Sequence, residues 1–247
     1  MNYQANRELE VLEPEAAFPY RPPNEALREK YSHIFSLEQE LPPRLMKTVF
    51  DKVLASIFLL LLSPIVLIIK IAYTIEGLIV PSSAGPMFFY YHAISAGKVF
   101  RKYKIRVIKT SHINQDPIRQ HDWASHSAEW GEASLSFVGR YVKAYYLDEI
   151  PQFYAVLKGE MSIVGPRPLA EIHFQRDVEQ GNVSRKLLKG GLLGLGHLNK
   201  GTDEMGNPEY EYEYIDRYLK CSGWQLFKLD LTIIYRGVVL MLRGGGH

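Results

Sequence analysis

The sequence predicts a mixed α/β, mainly helical fold that is monotopic in a membrane, with a re-entrant helix–break–helix and a small β-hairpin. Three observations support this prediction. Residues 53–69 (VLASIFLLLLSPIVLII) contain no charged residue, and basic residues flank this run on both sides. Two turn signals, Gly85-Pro86 and Gly97-Lys98, bracket an aromatic segment that is followed by a basic one. Periodic segments separated by turn residues are typical of an ordered α/β chain.

The composition is that of a globular protein and excludes some classes of site. Of the 247 residues, 47% are hydrophobic and 23% are charged, which indicates a folded chain. The net charge of +2 says little about partners. We predict no nucleic-acid partner, because such a function would leave the apolar segment unexplained and no other segment adds a basic groove. Cys221 is the only cysteine, so an intramolecular disulfide and a cysteine-based zinc site are both excluded.

Residues 1–45 are predicted to form an N-terminal arm. Proline residues punctuate this segment, which indicates an extended chain with one short helix near residues 24–31. The remaining residues, 46–247, are predicted to form a single domain.

The apolar run is predicted to enter the membrane and return. A straight helix over it would be about 26 Å long at 1.5 Å per residue, just short of a hydrocarbon core of ~30 Å. Ser63-Pro64 lies inside the run, where proline kinks or breaks a helix and serine can satisfy a freed carbonyl. Lys52 precedes the run and Lys70 follows it, which keeps both ends on the cytoplasmic side. These constraints favour a re-entrant helix over residues 49–76, and a kinked span remains the alternative.

A β-hairpin is predicted next. Residues 87–94 (MFFYYHAI) and 99–107 (VFRKYKIRV) form its strands around Gly97-Lys98. In the second strand, Lys102, Lys104 and Arg106 project from one face. This face either meets an anion or carboxylates, or is a solvated edge defended by charge.

The run LDEIPQ (147–152) is predicted to begin a helix. Asp148 would be its N-cap, with Pro151 in the first turn and Gly159 at the C-terminal cap. A helix N-terminus suits phosphate and keeps a carboxylate ionised, as a nucleophile requires. An Asp-Glu pair by itself is more often only a helix cap.

Two segments complete the pattern. In MSIVGPRP (161–168), Pro166 and Pro168 fix the backbone on either side of Arg167. Residues 224–243 are apolar with interspersed charges, which predicts an interfacial amphipathic helix. A carboxylate that attacks a diphosphate meets strong repulsion, so cations must surround it.

Together, and in this order, these motifs resemble the bacterial sugar transferase family, the monotopic phosphoglycosyl transferases. The resemblance covers residues 46–242 and rests on FDKxxA…LLLSPIVLIIK, GKxFxxYKxR, GRYVKxxxLDEIPQF, LKGEMSIVGPRP and a KxGxxGxxxxN loop. LDExPQ and MSxVGPRP are its most specific parts.

The resemblance implies an activity and a location. Family members transfer a sugar 1-phosphate from a nucleotide diphosphate sugar, usually a UDP-sugar, to a polyprenyl phosphate such as undecaprenyl phosphate. This reaction initiates exopolysaccharide or glycoconjugate synthesis on the cytoplasmic face of the inner membrane. Asp148 would attack the β-phosphorus, expel UMP and become a covalent phosphosugar ester. Glu149 would bind Mg²⁺ together with Asp148 or handle a proton.

The resemblance also implies roles for further residues. Ser63 and Pro64 match the break in the family's re-entrant helix. The implied substrate-binding residues are Lys104, Arg106, Lys143, Pro166, Arg167 and Pro168.

Departures from the family pattern leave a second function open. They include Tyr91, Ala93, Leu193 and His197, where the family has other residues near its nucleotide site. The alternative is a degenerate, non-catalytic member that acts as a membrane scaffold in polysaccharide assembly. The sequence does not identify the sugar, and the choice between monomer and homodimer stays open.

Overall fold

The computed structural model describes residues 19–113, 132–199 and 201–242. Residues 110–136, which the sequence predicts to form a polar loop or a short helix, lie largely outside the described residues. The fold is mixed α/β and mainly helical, as predicted. Contacts divide the described residues into two compact units. Unit 1 contains the described residues of Ile57–His92 and Arg101–Tyr154, and unit 2 contains those of Phe18–Ser56, Ala93–Phe100 and Ala155–His247.

The short helix predicted in the N-terminal arm is confirmed. Helix α1 spans Glu25–Lys30, and Asn24 caps it by accepting a hydrogen bond from the backbone N–H of Leu27 at 2.8 Å. A single helical turn, α2, follows at Ser32–Phe35.

Helix α3 is the long apolar helix, and it spans Leu45–Ile79 without interruption. The favoured prediction was two helices separated by a break at Ser63-Pro64. The structure instead has one continuous helix through these residues. The hydroxyl of Ser63 donates to the carbonyl of Leu60 at 2.8 Å, and helical residues continue on both sides of the proline. By length and composition α3 is able to cross a membrane. Only 11% of its most apolar window is buried, unlike the core helix of a soluble protein.

The predicted hairpin is confirmed, with β1 at Phe88–Ser95 and β2 at Lys98–Ile105. Its two-residue turn has positive φ at both Ala96 (49°) and Gly97 (71°), which matches the twist of a tight hairpin. Strand β4, Leu169–Ala170, pairs antiparallel with β1, with Ala93 opposite Ala170. The strand order is β2-β1-β4.

Unit 1 has its own apolar core, in which residues from α3, β2 and helix α4 (Phe137–Ala144) pack together. A 3₁₀ turn at Leu147–Glu149 and helix α5 at Gln152–Lys158 follow. Asp148 therefore lies inside the 3₁₀ turn, and its prediction as a helix N-cap is wrong. Gly159 ends α5 with φ of +78°, as predicted for a C-terminal cap.

Unit 2 contains a parallel pair of strands and most of the remaining helices. Strand β3 (Ser162–Val164) pairs with β5 (Gly191–Leu193). The helices of this part are α6 (Glu171–Glu179), α7 (Ser184–Leu187), α8 (Glu209–Lys220) and α9 (Gly223–Leu242). Helix α9 buries Leu226 and Ile233 and exposes Trp224 and Tyr235, so it is amphipathic, as predicted.

Candidate active site

Asp148 is paired with a lysine of the hairpin. The Nζ of Lys104, near the end of β2, lies 2.6 Å from Oδ2 of Asp148 and 3.9 Å from Oε1 of Glu149. The side chains of Lys104 and Asp148 are 12% and 9% exposed, whereas that of Glu149 is 35% exposed. The geometry therefore gives one shielded carboxylate beside a cation and a second carboxylate that is partly exposed to solvent.

Asp148 and Glu149 are two adjacent carboxylates, the type of protein ligand that Mg²⁺ prefers. Mg²⁺ is usually held by one or two protein carboxylates together with phosphate oxygens and water. Residues 19–113, 132–199 and 201–242 contain no group of three or more potential ligands. Asp148 and Glu149 could supply the protein's share of such a site, since Glu149 is accessible.

Tyr146 introduces the turn that carries both carboxylates. Its backbone is left-handed, with φ of 55° and ψ of 22°, a conformation that costs energy for a bulky side chain. Its carbonyl accepts the N–H of Glu149 at 3.3 Å. Burial, together with the charges of Glu149 and Asp148, raises the pKa of the Tyr146 phenol. Sequence analysis did not identify this residue, because a tyrosine gives no local signal for positive φ.

Arg106 has a different environment from the substrate site that was predicted for it. It is only 1% exposed. Its Nε, Nη1 and Nη2 donate to the carbonyl oxygens of Pro86 (3.1 Å), Ile108 (2.5 Å) and Ser83 (2.9 Å). Burial lowers the pKa of its guanidinium. The structure therefore gives Arg106 a packing role, in which it joins residues 83–86 to the segment that follows β2.

The basic face of β2 is turned inward. Lys102 is 3% exposed, and its Nζ lies 5.8 Å from the centre of the Tyr91 ring. Lys104 meets the carboxylates and Arg106 meets carbonyls, so the alternative of a solvated edge strand is wrong for these three residues. Tyr91, one of the departures from the family pattern, supports this inward face.

Helix α4 is held closely at its N-terminus. A Cβ on Gly139 would lie 1.9 Å from the carbonyl oxygen of Val107, so only glycine fits there. The hydroxyl of Ser136 caps the helix by accepting the N–H of Gly139 at 2.9 Å. The backbone N–H of Ser136 donates to the carbonyl oxygen of Val107 at 3.0 Å. Lys143 lies in the last turn of the helix and is half-buried, five residues before Asp148.

Glu76, which lies near the end of α3, was not among the predicted site residues. Its Oε1 and Oε2 accept the N–H groups of Phe137 (2.8 Å) and Val138 (3.0 Å). One sequence signal for Glu76 exists: it is the only acidic residue between Asp51 and Asp116.

Arg167 lies in unit 2, where its loop is held as predicted. Pro166 and Pro168 are buried and Arg167 is exposed between them. The carbonyl of Arg167 accepts from Nε of Arg185 at 3.0 Å. A Cβ on Gly190 would lie 2.6 Å from the ring of Pro168, so glycine allows this close approach.

A cavity surrounds the Arg167 loop within unit 2. Its lining includes Tyr20 of the arm, Arg167, His197 and Tyr210. The ring of Tyr20 lies 4.1 Å from the guanidinium carbon of Arg185. Burial raises the pKa of Tyr20, and the charges of Arg185 and Arg167 oppose this shift. The cavity therefore combines aromatic and cationic groups.

The family of the chain follows from comparison with known protein families. Residues 42–244 match the model of the family described as bacterial sugar transferase. The chain belongs to this family. Asp148, Glu149, Lys104 and Arg167 all lie inside the matched range.

Relatives of this family member include named transferases. A UDP-glucose:undecaprenyl-phosphate glucose-1-phosphate transferase of Klebsiella pneumoniae is 34% identical over 76% of this chain and 38% of that protein. An undecaprenyl-phosphate galactose phosphotransferase of Salmonella typhimurium is 30% identical over 82% of this chain and 42% of that protein. The chain thus spans less than half the length of these two relatives. The exopolysaccharide production protein ExoY of Rhizobium meliloti is 27% identical, over 80% of this chain and 87% of that protein.

Proposed function

We propose that this sugar transferase family member transfers a sugar 1-phosphate from a nucleotide diphosphate sugar, a UDP-sugar, to undecaprenyl phosphate. The ion pair between Lys104 and Asp148 at 2.6 Å, next to the accessible Glu149, is the observation that carries the proposal. It supplies a carboxylate nucleophile and a cation in one place. The named relatives that use undecaprenyl phosphate support the same reaction class.

In the first step, a carboxylate oxygen of Asp148 attacks the β-phosphorus of the donor. The bond from this phosphorus to the oxygen that bridges it to the α-phosphate breaks, and UMP leaves with that oxygen. Lys104 offsets the repulsion between the anionic donor and the carboxylate. The product on the enzyme is an aspartyl phosphosugar ester.

In the second step, a phosphate oxygen of the lipid attacks the same phosphorus. The bond to Asp148 breaks, which regenerates the carboxylate and gives a polyprenyl diphosphate sugar. The donor sugar remains attached to its phosphorus in both steps. Two displacements thereby replace one direct reaction between two anions.

Magnesium and Arg167 each have a further proposed role in the reaction. When bound, Mg²⁺ neutralises charge on the diphosphate and its leaving group. Glu149, together with Asp148, would hold it. Arg167, exposed between two buried prolines, would contact the nucleotide or its phosphates, since a guanidinium forms paired hydrogen bonds to phosphate. Lys143 would act near the transferred phosphate.

The membrane arrangement is part of the proposal. We infer that α3 bends at Pro64 when it is in lipid, so that both of its ends stay on the cytoplasmic face of the inner membrane. The charges Arg44, Lys47 and Lys70 near the apolar run support this arrangement. Single cysteines placed before Lys47 and after Ile75, in a Cys221→Ser background, would be labelled from the same side. Labelling from opposite sides would show that α3 spans the membrane.

The activity is tested by incubating the membrane-embedded protein with Mg²⁺, undecaprenyl phosphate and a panel of UDP-sugars. UMP release is expected with at least one donor. Asp148→Asn should abolish UMP release, and intact mass should show a sugar-phosphate adduct only with Asp148 present and the lipid acceptor omitted. Turnover by Asp148→Asn would rule out the covalent mechanism. The absence of UMP release with every donor would favour the scaffold alternative.

A further inference from the structure

The last turns of α3 present two polar side chains, Tyr73 and Glu76, three positions apart. Residues at this spacing lie on the same face of a helix. The hydroxyl of Tyr73 donates to the carbonyl of Arg106, two residues after Lys104. Glu76 accepts the N–H groups of Phe137 and Val138 at 2.8 and 3.0 Å. One helix face therefore contacts the end of the hairpin and the start of α4.

Each carboxylate oxygen of Glu76 accepts one backbone hydrogen bond at this contact. Glu76 is 7% exposed, and a buried carboxylate is costly unless hydrogen bonds and opposite charge compensate it. The two N–H groups and the partial positive charge of the α4 N-terminus provide that compensation. Because Ser136 accepts the N–H of Gly139, the first three N–H groups of α4 all have protein acceptors. The start of α4 is thus a structural contact and is closed to a substrate phosphate.

The contacts at this end of α3 determine where the two charged groups of the site lie. From its capped start, α4 continues to Ala144, and the left-handed Tyr146 then places Asp148 in the 3₁₀ turn. On the other side, the contact of Tyr73 with Arg106 fixes the backbone close to Lys104. A displacement of α4 relative to α3 would therefore change the distance between Lys104 and Asp148.

We infer that Glu76 is a positioning residue, which couples the membrane helix to the nucleophile by fixing the start of α4. This inference rests on the proposed function, since its readout is UMP release. Glu76 contacts neither substrate nor the reacting atoms in this assignment. It acts through the geometry of the Lys104–Asp148 pair. Substitutions of Glu76 should therefore lower kcat more than they raise KM for the nucleotide sugar.

The first test compares Glu76→Gln with Glu76→Ala and with Glu179→Gln, an exposed glutamate of α6. Glutamine keeps one acceptor oxygen, so kcat should fall about tenfold, and further in Glu76→Ala. KM for the nucleotide sugar should change less than about twofold, because Glu76 does not contact the substrate and the substitution removes no binding interaction with it. Glu179→Gln should behave as the unmodified protein. Equal kcat in all of these variants, normalised to folded protein, would overturn the inference.

A second variant removes the backbone N–H that donates the hydrogen bond, and leaves the accepting carboxylate of Glu76 in place. Phe137→Pro deletes one N–H that Glu76 accepts, at a first helical position where proline is favoured. The preceding Ser136 has φ of −73° and ψ of 161°, which a following proline allows. Relative to Phe137→Ala, the proline variant should lose kcat about threefold per folded molecule, and its melting temperature should fall, because proline removes an N–H that the buried carboxylate of Glu76 accepts. A loss of kcat that only follows a loss of stability would indicate a merely structural role.

A double-mutant cycle with Lys104→Met tests whether Glu76 acts through the ion pair. In the Lys104→Met background, Glu76→Gln should lower kcat less than about twofold, because the pair it positions is already lost. A tenfold loss in both backgrounds would show that Glu76 acts independently and would overturn the inference. An unmodified protein that releases no UMP would instead contradict the proposed function, so the two failures are distinguishable.

Discussion

Lys104 and Asp148 form a largely shielded ion pair, with Nζ 2.6 Å from Oδ2. Lys104 comes near the end of β2 and Asp148 from a 3₁₀ turn 44 residues later, so the pair links the hairpin to the LDEIPQ segment. Removing one member of a buried pair leaves an uncompensated charge and costs about 3–5 kcal/mol. The pair is therefore a structural contact as well as the proposed catalytic one.

Lys104→Met should lower kcat for UMP release by about 100-fold, because a cation that stabilises developing charge contributes about 3 kcal/mol. Lys104→Arg should retain more activity, since it keeps the charge but changes its geometry. Both variants are compared under saturating donor and Mg²⁺. Unchanged turnover in Lys104→Met would show that Lys104 has no part in the chemistry.

Arg106→Met should reduce stability instead of donor affinity. The substitution leaves the carbonyls of Ser83, Pro86 and Ile108 without the donor that Arg106 provides, at about 1–3 kcal/mol for each buried group that stays unsatisfied. The melting temperature should fall by several degrees, while KM of the folded fraction stays within about twofold. Arg101→Met, at an exposed position of β2, the strand that directly precedes Arg106, is the matched control. A tenfold rise in KM with an unchanged melting temperature would restore Arg106 as a substrate-binding residue.

Gly139→Ala should destabilise the protein strongly. The added methyl would lie 1.9 Å from the carbonyl oxygen of Val107, so α4 must move away from its neighbour. Overpacking of this kind costs about 1–3 kcal/mol or more. Gly196→Ala is the control for stability, because a methyl group added at Gly196 would have no other atom within 4 Å. Equal melting temperatures for both variants would contradict the close packing at Gly139.

The sequence predicted the elements that depend on local signals. The hairpin follows from Gly97 and its flanking strands, and the cap at Gly159 follows from the need for positive φ. The pairing of Lys104 with Asp148 was not predicted: the family resemblance implied only a substrate-binding role for Lys104, and nothing local in the sequence connects two residues so far apart. The roles of Arg106 and Glu76 were not predictable from spacing, since their partners are backbone groups of distant segments. A break at Ser63-Pro64 was predicted, but α3 is continuous through Pro64 in the structure, where the hydroxyl of Ser63 donates to the carbonyl of Leu60.

Glu149→Gln should increase the concentration of Mg²⁺ needed for half-maximal activity. Loss of one of two adjacent carboxylates weakens the protein's hold on the ion, and we expect an increase of about tenfold. EDTA should abolish UMP release, and added Mg²⁺ should restore it. The magnesium titration is performed at fixed donor concentration on Glu149→Gln and the unmodified protein. Activity that persists in EDTA would rule out the metal requirement.

Arg167→Ala should raise KM for the nucleotide sugar about tenfold, which corresponds to ~1.4 kcal/mol of lost binding. Its effect on the melting temperature should be small, because the side chain is exposed and Pro166 and Pro168 hold the loop. Arg167→Lys should recover only part of the affinity, since an ammonium cannot form the paired hydrogen bonds of a guanidinium.

Arg185→Lys tests the structural support of the Arg167 loop separately from the proposed binding of the nucleotide by Arg167. Arg185 is 3% exposed, and its Nη1 lies 2.7 Å from Oδ2 of Asp177 while its Nε donates to the carbonyl of Arg167. Truncating this buried guanidinium should lower the melting temperature, in contrast to Arg167→Ala. Donor titrations and thermal denaturation on both variants should therefore give opposite patterns. A loss of stability in Arg167→Ala without a change in KM would place Arg167 among the structural contacts of unit 2 and remove it from the nucleotide site.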